Sequence, residues 1–270
     1  VSVNNASSTP VTNGSTSSDT PTGFWNPFPV FIATPPVASP NFHMETASGL
    51  LCDYSQFGIS HSSVLADNLS CKIKQRGVTW KEKFEILEKH NSFRAKVARG
   101  EELRGYLGPQ PSASNMRQLV WNNQLAEVAQ AWANQCPHGH DCYNCRKICS
   151  HNYPIGQNIY FHWGHSKSSG WAQAIEDWYS EVVNMNKSLV DAFAPQGRTI
   201  ARYTQVVWSE TREIGCGAVY YSVDYFPESK IYVCNYGPAG NLLGRYVYKR
   251  GPAATHCPYG SSRTFPELCA

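Results

Sequence analysis

The chain has 270 residues, 41% of them hydrophobic and 16% charged, with 23 Lys/Arg against 20 Asp/Glu for a formal charge of +3. That length allows one large domain or two small ones with a substantial core. The charge is mild and unclustered, with no Lys/Arg block to follow a phosphate backbone, which excludes nucleic acid as a partner class. No apolar run reaches the roughly 20 residues a spanning helix needs.

Residues 1–22 are Ser, Thr, Asn, Pro and Gly with few large apolar groups, too few to offset the entropy of ordering, and are read as disordered. The stretch 23–78 is read as an extended Pro/aromatic arm (Phe24, Trp25, Phe28, Phe31) followed by a lead-in carrying Cys52 and Cys71. Regular structure is expected from Thr79. Trp80, Phe84, Leu87, Asn91, Arg94 and Val97 have helical spacing, Thr79 and Glu82 form a capping pair, and Gly100 ends the helix. A second helix is expected over about 123–134 and a third over 170–185, where Trp171, Ile175, Trp178 and Val182 recur on one face. The cysteine-rich 136–151 between them reads as a loop. Three strands are expected at 203–208, 217–221 and 231–234. Helices around a short antiparallel sheet make an α+β layered domain over 79–248, with 249–270 as a tail carrying a cysteine pair.

Ten cysteines, an even number, imply an oxidising compartment. Sequons at Asn5, Asn13, Asn68 and Asn186 agree with a secretory route. The expectation is a secreted, extracellular protein whose signal has been removed, with the monomer favoured. Cys142-x-x-Cys145 beside His138, His140 and His151 leaves two readings, disulfides or structural zinc, and in a secreted chain disulfides are favoured. Cys52 and Cys71 pair either with each other or into the 136–151 loop. No Gly-x-Ser-x-Gly elbow or phosphate loop is present, so no nucleophile–base pair supports catalysis.

Several motifs in fixed order carry a resemblance: Lys89-His90-Asn91-Ser92-Phe93-Arg94, Gly108-Pro109-Gln110-Pro111, Gly139-His140-Asp141, Gly156-Gln157-Asn158, Tyr203-Thr204-Gln205-Val206-Val207-Trp208, Gly215-Cys216-Gly217 and Val233-Cys234-Asn235-Tyr236-Gly237-Pro238. Together they resemble the CAP superfamily (cysteine-rich secretory proteins, antigen 5, pathogenesis-related 1), most nearly its venom-allergen branch. The resemblance implies a three-layer α-β-α sandwich, a Cys216–Cys234 disulfide and extracellular proteins that bind sterols, fatty acids or related lipids, without an established enzymatic activity or cofactor. A Cys257–Cys269 staple is read for the tail. The family's central cleft places two His and two acids, which fall here on His140, Gln157, Glu181 and Arg202. Two of the four depart from that pattern. A guanidinium offers donors only and cannot ligate a cation, so no metal and an Arg202–Glu181 ion pair are expected. The sterol-binding loop of relatives maps onto Tyr160, Phe161, Trp163 and Trp171, with Ser168 missing one aromatic place. The helix-walled fatty-acid channel of others maps onto Phe84, Leu87, Ile175, Trp178 and Val182. Lipid ligands are the first expectation, and a host or cell-surface protein partner the second.

Overall fold

Residue alternation in two long strands builds the layers. In the computed structural model, which describes residues 52–164, 170–223 and 226–270, strand β4 (Glu213–Val223) runs antiparallel to β5 (Phe226–Gly237), with Cys216 opposite Cys234. Their odd-numbered residues Val219, Tyr221, Ile231 and Val233 pack with Ala129 and Ala133 of helix α2 (Asn123–Ala133). Their even-numbered residues Cys216, Ala218, Tyr232, Cys234 and Tyr236 join a larger core with helices α1 (Trp80–Ala98), α3 (Trp171–Ser180) and α4 (Ala201–Val206). A period of two puts successive side chains on opposite faces, so one sheet with helices on each face gives the α-β-α sandwich.

The sheet order is β1–β4–β5–β3, and β2 (Val120–Trp121) pairs parallel with β4. The outer strands are β1 (Lys72–Arg76), antiparallel to β4, and β3 (Gly156–His162), antiparallel to β5. Glycine decides how closely α2 approaches. A Cβ at Gly215 would overlap the backbone of Asn122 and Ala126, and one at Gly217 the backbone of Gln130.

Helix α1 starts where expected. The Thr79 amide donates to Glu82 Oε2 (2.7 Å) and the Glu82 amide to Thr79 Oγ1 (3.3 Å), a reciprocal capping box. Gly100, at φ +73°, follows its end. Inside the helix, the buried Arg94 guanidinium donates to the carbonyls of Arg117, Val206, Trp208 and Thr211 at 2.7–2.9 Å, tying α1 to the loops around α4.

Four features differ from the sequence reading. The run Tyr203–Trp208 is no strand but the end of helix α4, which closes at Val206, and the turn after it: residues 203–209 are all buried, so side-chain alternation carries no signal there, and tertiary packing outweighs β propensity. Gly156–His162, given no element in the sequence reading and holding Tyr160 and Phe161 of the expected aromatic loop, is strand β3. The lead-in and the tail are not appendages either. Lys72–Arg76 is a sheet strand, while Leu268 lies in the main core and the Cys269 amide donates to the Met116 carbonyl (2.7 Å). The described residues all fall in one unit, Leu50–Ala270. The third helix is α only to Ser180 and tightens to a 3-10 turn over Glu181–Asn184.

All ten cysteines are paired: Cys52–Cys149, Cys71–Cys136, Cys142–Cys145, Cys216–Cys234 and Cys257–Cys269. Cys52 and Cys71 therefore bond into the loop, and the Cys-x-x-Cys is a disulfide, which removes the zinc alternative. The first two bridges close loops of 97 and 65 residues, pinning the lead-in to the 136–149 loop.

Candidate functional site

The four central-cleft positions form two pairs rather than one cluster. On the α2 face of the sheet, the exposed His140 ring places Nδ1 2.8 Å from Gln157 Oε1, so Nδ1 carries the proton. The Gln157 amide donates to Asp141 Oδ1 and Asn235 Oδ1, both at 3.1 Å. Asp141 is itself buried, accepts from Ser62 Oγ (2.6 Å) and pairs with Arg146 (2.7 Å). This web explains the amide at 157. A glutamate there would set two carboxylates about 3 Å apart, and like charges that close cannot both ionise at low cost.

On the other face, Glu181 uses both oxygens. Oε1 lies 2.6 Å from Arg202 Nε, and Oε2 accepts from the Arg202 and Tyr203 amides at 2.8 and 3.2 Å. The carboxylate thus neutralises a cation and satisfies the free amides that open α4. The expected Arg202–Glu181 pair is present. Adjacent residues of β3 connect the halves: Gln157 faces His140, while the Asn158 amide donates to the Arg202 carbonyl (3.1 Å).

A divalent cation, of the sort this cleft holds in the resembled family, does not fit these residues. His140 and Glu181 are the two remaining candidate ligands, Glu181 is engaged through both oxygens, and a guanidinium stands where a second imidazole is needed. Catalytic zinc sites have three protein ligands. Among the described residues, no three of His, Cys, Asp and Glu converge as a metal set. No chemical step is derived through a metal.

The aromatic set expected on one loop is split by β3. Tyr160 and Trp171 face the large core, where Trp171 packs edge-on to Tyr232 at 4.5 Å between ring centroids. Trp171 is 1% exposed and begins α3, so it is core and not part of a lipid-facing loop. Phe161 lies on the α2 face and stacks flat on Trp163, centroids 5.4 Å apart. Trp163 is half-exposed and borders a cavity of about 390 Å³ with His138, Tyr221 and the Cys71–Cys136 disulfide. Ser168 lies outside the described residues.

The residues expected to wall a helix-lined channel are divided between core and surface. Ile175, Trp178 and Val182 are fully buried, with the Trp178 indole donating to the Ile159 carbonyl (3.1 Å). Leu87 packs partly against the same core, and Phe84 is 66% exposed.

His90, read as a packing residue, bonds the Ile86 carbonyl through Nδ1 (2.7 Å) and Tyr236 Oη through Nε2 (2.9 Å). Burial pushes its ring down to about 4, so it is neutral. Two functional groups escaped the sequence: Glu102, which carries no motif, and Asp141, which hides inside a matched one. Glu102 is buried and bonded to Arg104, Tyr179 and Lys96. Burial alone would raise its carboxyl, but those partners outweigh burial and hold it at about 2. Of the sequons, Asn68 is exposed and donates to the Gln135 carbonyl, Asn186 caps a 3-10 turn, and Asn5 and Asn13 lie outside the described residues, as does the aromatic arm.

Comparison with known proteins matches this architecture. The family model described as "Cysteine-rich secretory protein family" (CAP) matches residues 87–236. Venom allergen 5 of Dolichovespula arenaria is 46% identical over 66% of this chain and 85% of its own length. Venom allergen 5 of Polybia scutellaris rioplatensis is 41% identical over 78% and 98%. A "CRISP/Allergen/PR-1" protein of Trittame loki is 38% identical, and the match spans about half (51%) of its length. Among solved structures, NaASP2 with Zn2+ superposes at TM-score 0.60 with 29% identity, covering 72% of this chain and 97% of that one. BmVAL-1 gives 0.61 and 27%, covering 73% and 98%. With the family model, the venom allergen 5 relatives and the sandwich all in agreement, the chain belongs to the cysteine-rich secretory protein (CAP) family and is similar in kind to its venom allergen 5 members.

Proposed function

We propose that the protein is a secreted, non-enzymatic lipid-binding member of this family, acting in signalling or immune modulation, with its lipid site at the Trp163 cavity. The observation that carries this is the half-exposed Trp163, held flat by Phe161 at the mouth of a cavity of about 390 Å³. Small-molecule sites run from about 300 to 1,000 Å³ and present apolar walls with few polar groups. The Trp163 ring, the Tyr221 ring and the Cys71–Cys136 sulfurs supply such walls, and His138 and Asn68 give a hydroxyl or carboxylate head group polar partners. A cavity this size takes the end of a sterol or acyl chain, and each buried methylene contributes about 0.8 kcal/mol. Enzymatic chemistry is disfavoured because Glu181, the best-placed base, is tied to Arg202 and the α4 amides.

Equilibrium binding of radiolabelled cholesterol and palmitate tests the reading. Saturable binding that Trp163→Ala weakens at least about fivefold is expected. Binding unchanged by that substitution places the lipid elsewhere, and absence of saturable binding for either ligand ends the reading. A protein-interaction scaffold is the second reading, favoured by Trp80 and Phe84, 76% and 66% exposed one turn apart on α1.

A further inference from the structure

A second cavity, of about 440 Å³, lies against the stapled segment 249–270 and is walled by Asn115, Arg117, Glu210, Lys249, His256 and Pro258. It shares no residue with the Trp163 cavity or the central cleft. Its charged groups are left over from the fold. The Arg117 guanidinium lies 5.9 Å from the centroid of the Tyr259 ring, and the Lys249 ammonium 5.7 Å from that of Tyr246. Neither is in an ion pair with a carboxylate among the described residues, whereas nearby Arg250 and Arg99 are paired with Asp191 and with Glu101 and Glu267. Glu210 takes hydrogen bonds from Tyr246 (3.0 Å) and Asn115 (3.4 Å) through one oxygen and, among the described residues, has no cation within pairing distance. Tyr259 is 78% exposed beside them.

The backbone under these groups is fixed. The Arg117 carbonyl accepts from the buried Arg94 (2.7 Å). The Lys249 and His256 amides donate to Asn115 Oδ1 and to the Ser114 carbonyl at 2.8 and 2.9 Å. The Cys257–Cys269 bridge ties the segment to itself. A fixed backbone confines the ordering lost on binding to the side chains.

We propose that this cavity binds a sulfated glycan. Sulfate groups meet Arg117, whose planar fork suits an oxyanion, and Lys249. Sugar hydroxyls donate to Glu210, and a sugar ring lies on Tyr259. The mixture selects the ligand: inorganic sulfate offers Glu210 no hydroxyl donor and Tyr259 no ring to offset the carboxylate's repulsion, and a neutral sugar leaves both cations without an anion. The site requires no lipid and stands apart from the proposed function.

Calorimetric titration of the full chain with a heparin-derived hexasaccharide tests it, alongside the same oligosaccharide desulfated and inorganic sulfate. The sulfated sugar is expected to bind saturably and more weakly as salt rises. Replacing both cations (Arg117→Gln with Lys249→Gln) is expected to lower affinity about tenfold or more, while a two-charge control outside the cavity (Arg76→Gln with Lys147→Gln) changes it less than about twofold. Tyr259→Ala, at a fully surface position, is expected to weaken binding about threefold and serves if the double variant folds poorly. Equal losses in the two double variants overturn the proposal. So do equal affinity for the desulfated sugar, equal affinity for inorganic sulfate, or no saturable binding.

Discussion

A single amide governs the cleft. Gln157 stands between His140 and the buried Asp141, accepting from one and donating to the other. Gln157→Glu is expected to lower stability at neutral pH by about 2 kcal/mol through charge repulsion at a buried site. The loss should shrink as the medium is acidified toward the carboxylate range, which thermal melts at neutral and mildly acidic pH would show. A variant equally destabilised at both is inconsistent with charge repulsion. Arg202 governs the other half. Zinc titration of the native protein is expected to show no micromolar 1:1 binding, because a fixed cation and an engaged carboxylate occupy the ligand positions. Saturable micromolar binding abolished by His140→Ala would refute that. The cleft residues were identifiable from motifs, since each sits in a short recognisable string. The Arg202–Glu181 pair was legible as well, but the placement of His140 and Gln157 on the opposite face was not, because it depends on strand β3, where both faces are covered and side-chain alternation carries no signal.

At the level of elements, glycines and one arginine fix how layers meet. Gly215→Ala is expected to destabilise by about 3 kcal/mol or prevent folding, since α2 backbone lies where its Cβ would go. Denaturant midpoints would measure it, and a change below about 0.5 kcal/mol contradicts the close approach. Helix α1 was legible because a cap and one-sided periodicity coincide, Thr79 with Glu82, and α2 was legible from the one-sided Leu125, Val128 and Ala129, while its Asn122 cap emerges only from the structure. Helix α4 was not legible. It is only six residues long, Tyr203, Thr204 and Val206 are β-branched or aromatic, all but its first two residues are buried, and its start depends on Glu181, some 20 positions earlier. Trp171 carried two readings, the apolar face of the third helix and, from the resemblance, the end of an aromatic loop; the start of α3 turns it inward against Tyr232, as the first requires.

The whole molecule carries an acid-sensitive core. His90 is held neutral in the fold, from an ordinary 6.5 to about 4, so the unfolded chain takes up a proton that the folded chain refuses. Stability should therefore fall as pH drops from 6.5 toward 4, by about 3 kcal/mol. Glu102 extends the decline. Its carboxylate is held from 4.5 down to about 2, so its contribution is full above 4.5 and vanishes as pH falls through about 2. Its partners Lys96 and Arg104 are partly solvated, and screening reduces this to about 2 kcal/mol. Urea midpoints across that range should show the upper limb flattened in His90→Gln and the lower limb flattened in Glu102→Gln. A midpoint constant from pH 7 to 4 contradicts the first assignment.

Leu268 and Cys269 sit inside the core laid down by residues made much earlier: the Cys269 amide reaches Met116, and its carbonyl accepts from the Gln118 amide at 2.8 Å. During synthesis, the sandwich cannot seal until position 269 has left the ribosome. Until then part of the core stays uncovered and the Cys257–Cys269 bridge cannot close, so a segment distant in sequence completes the sandwich.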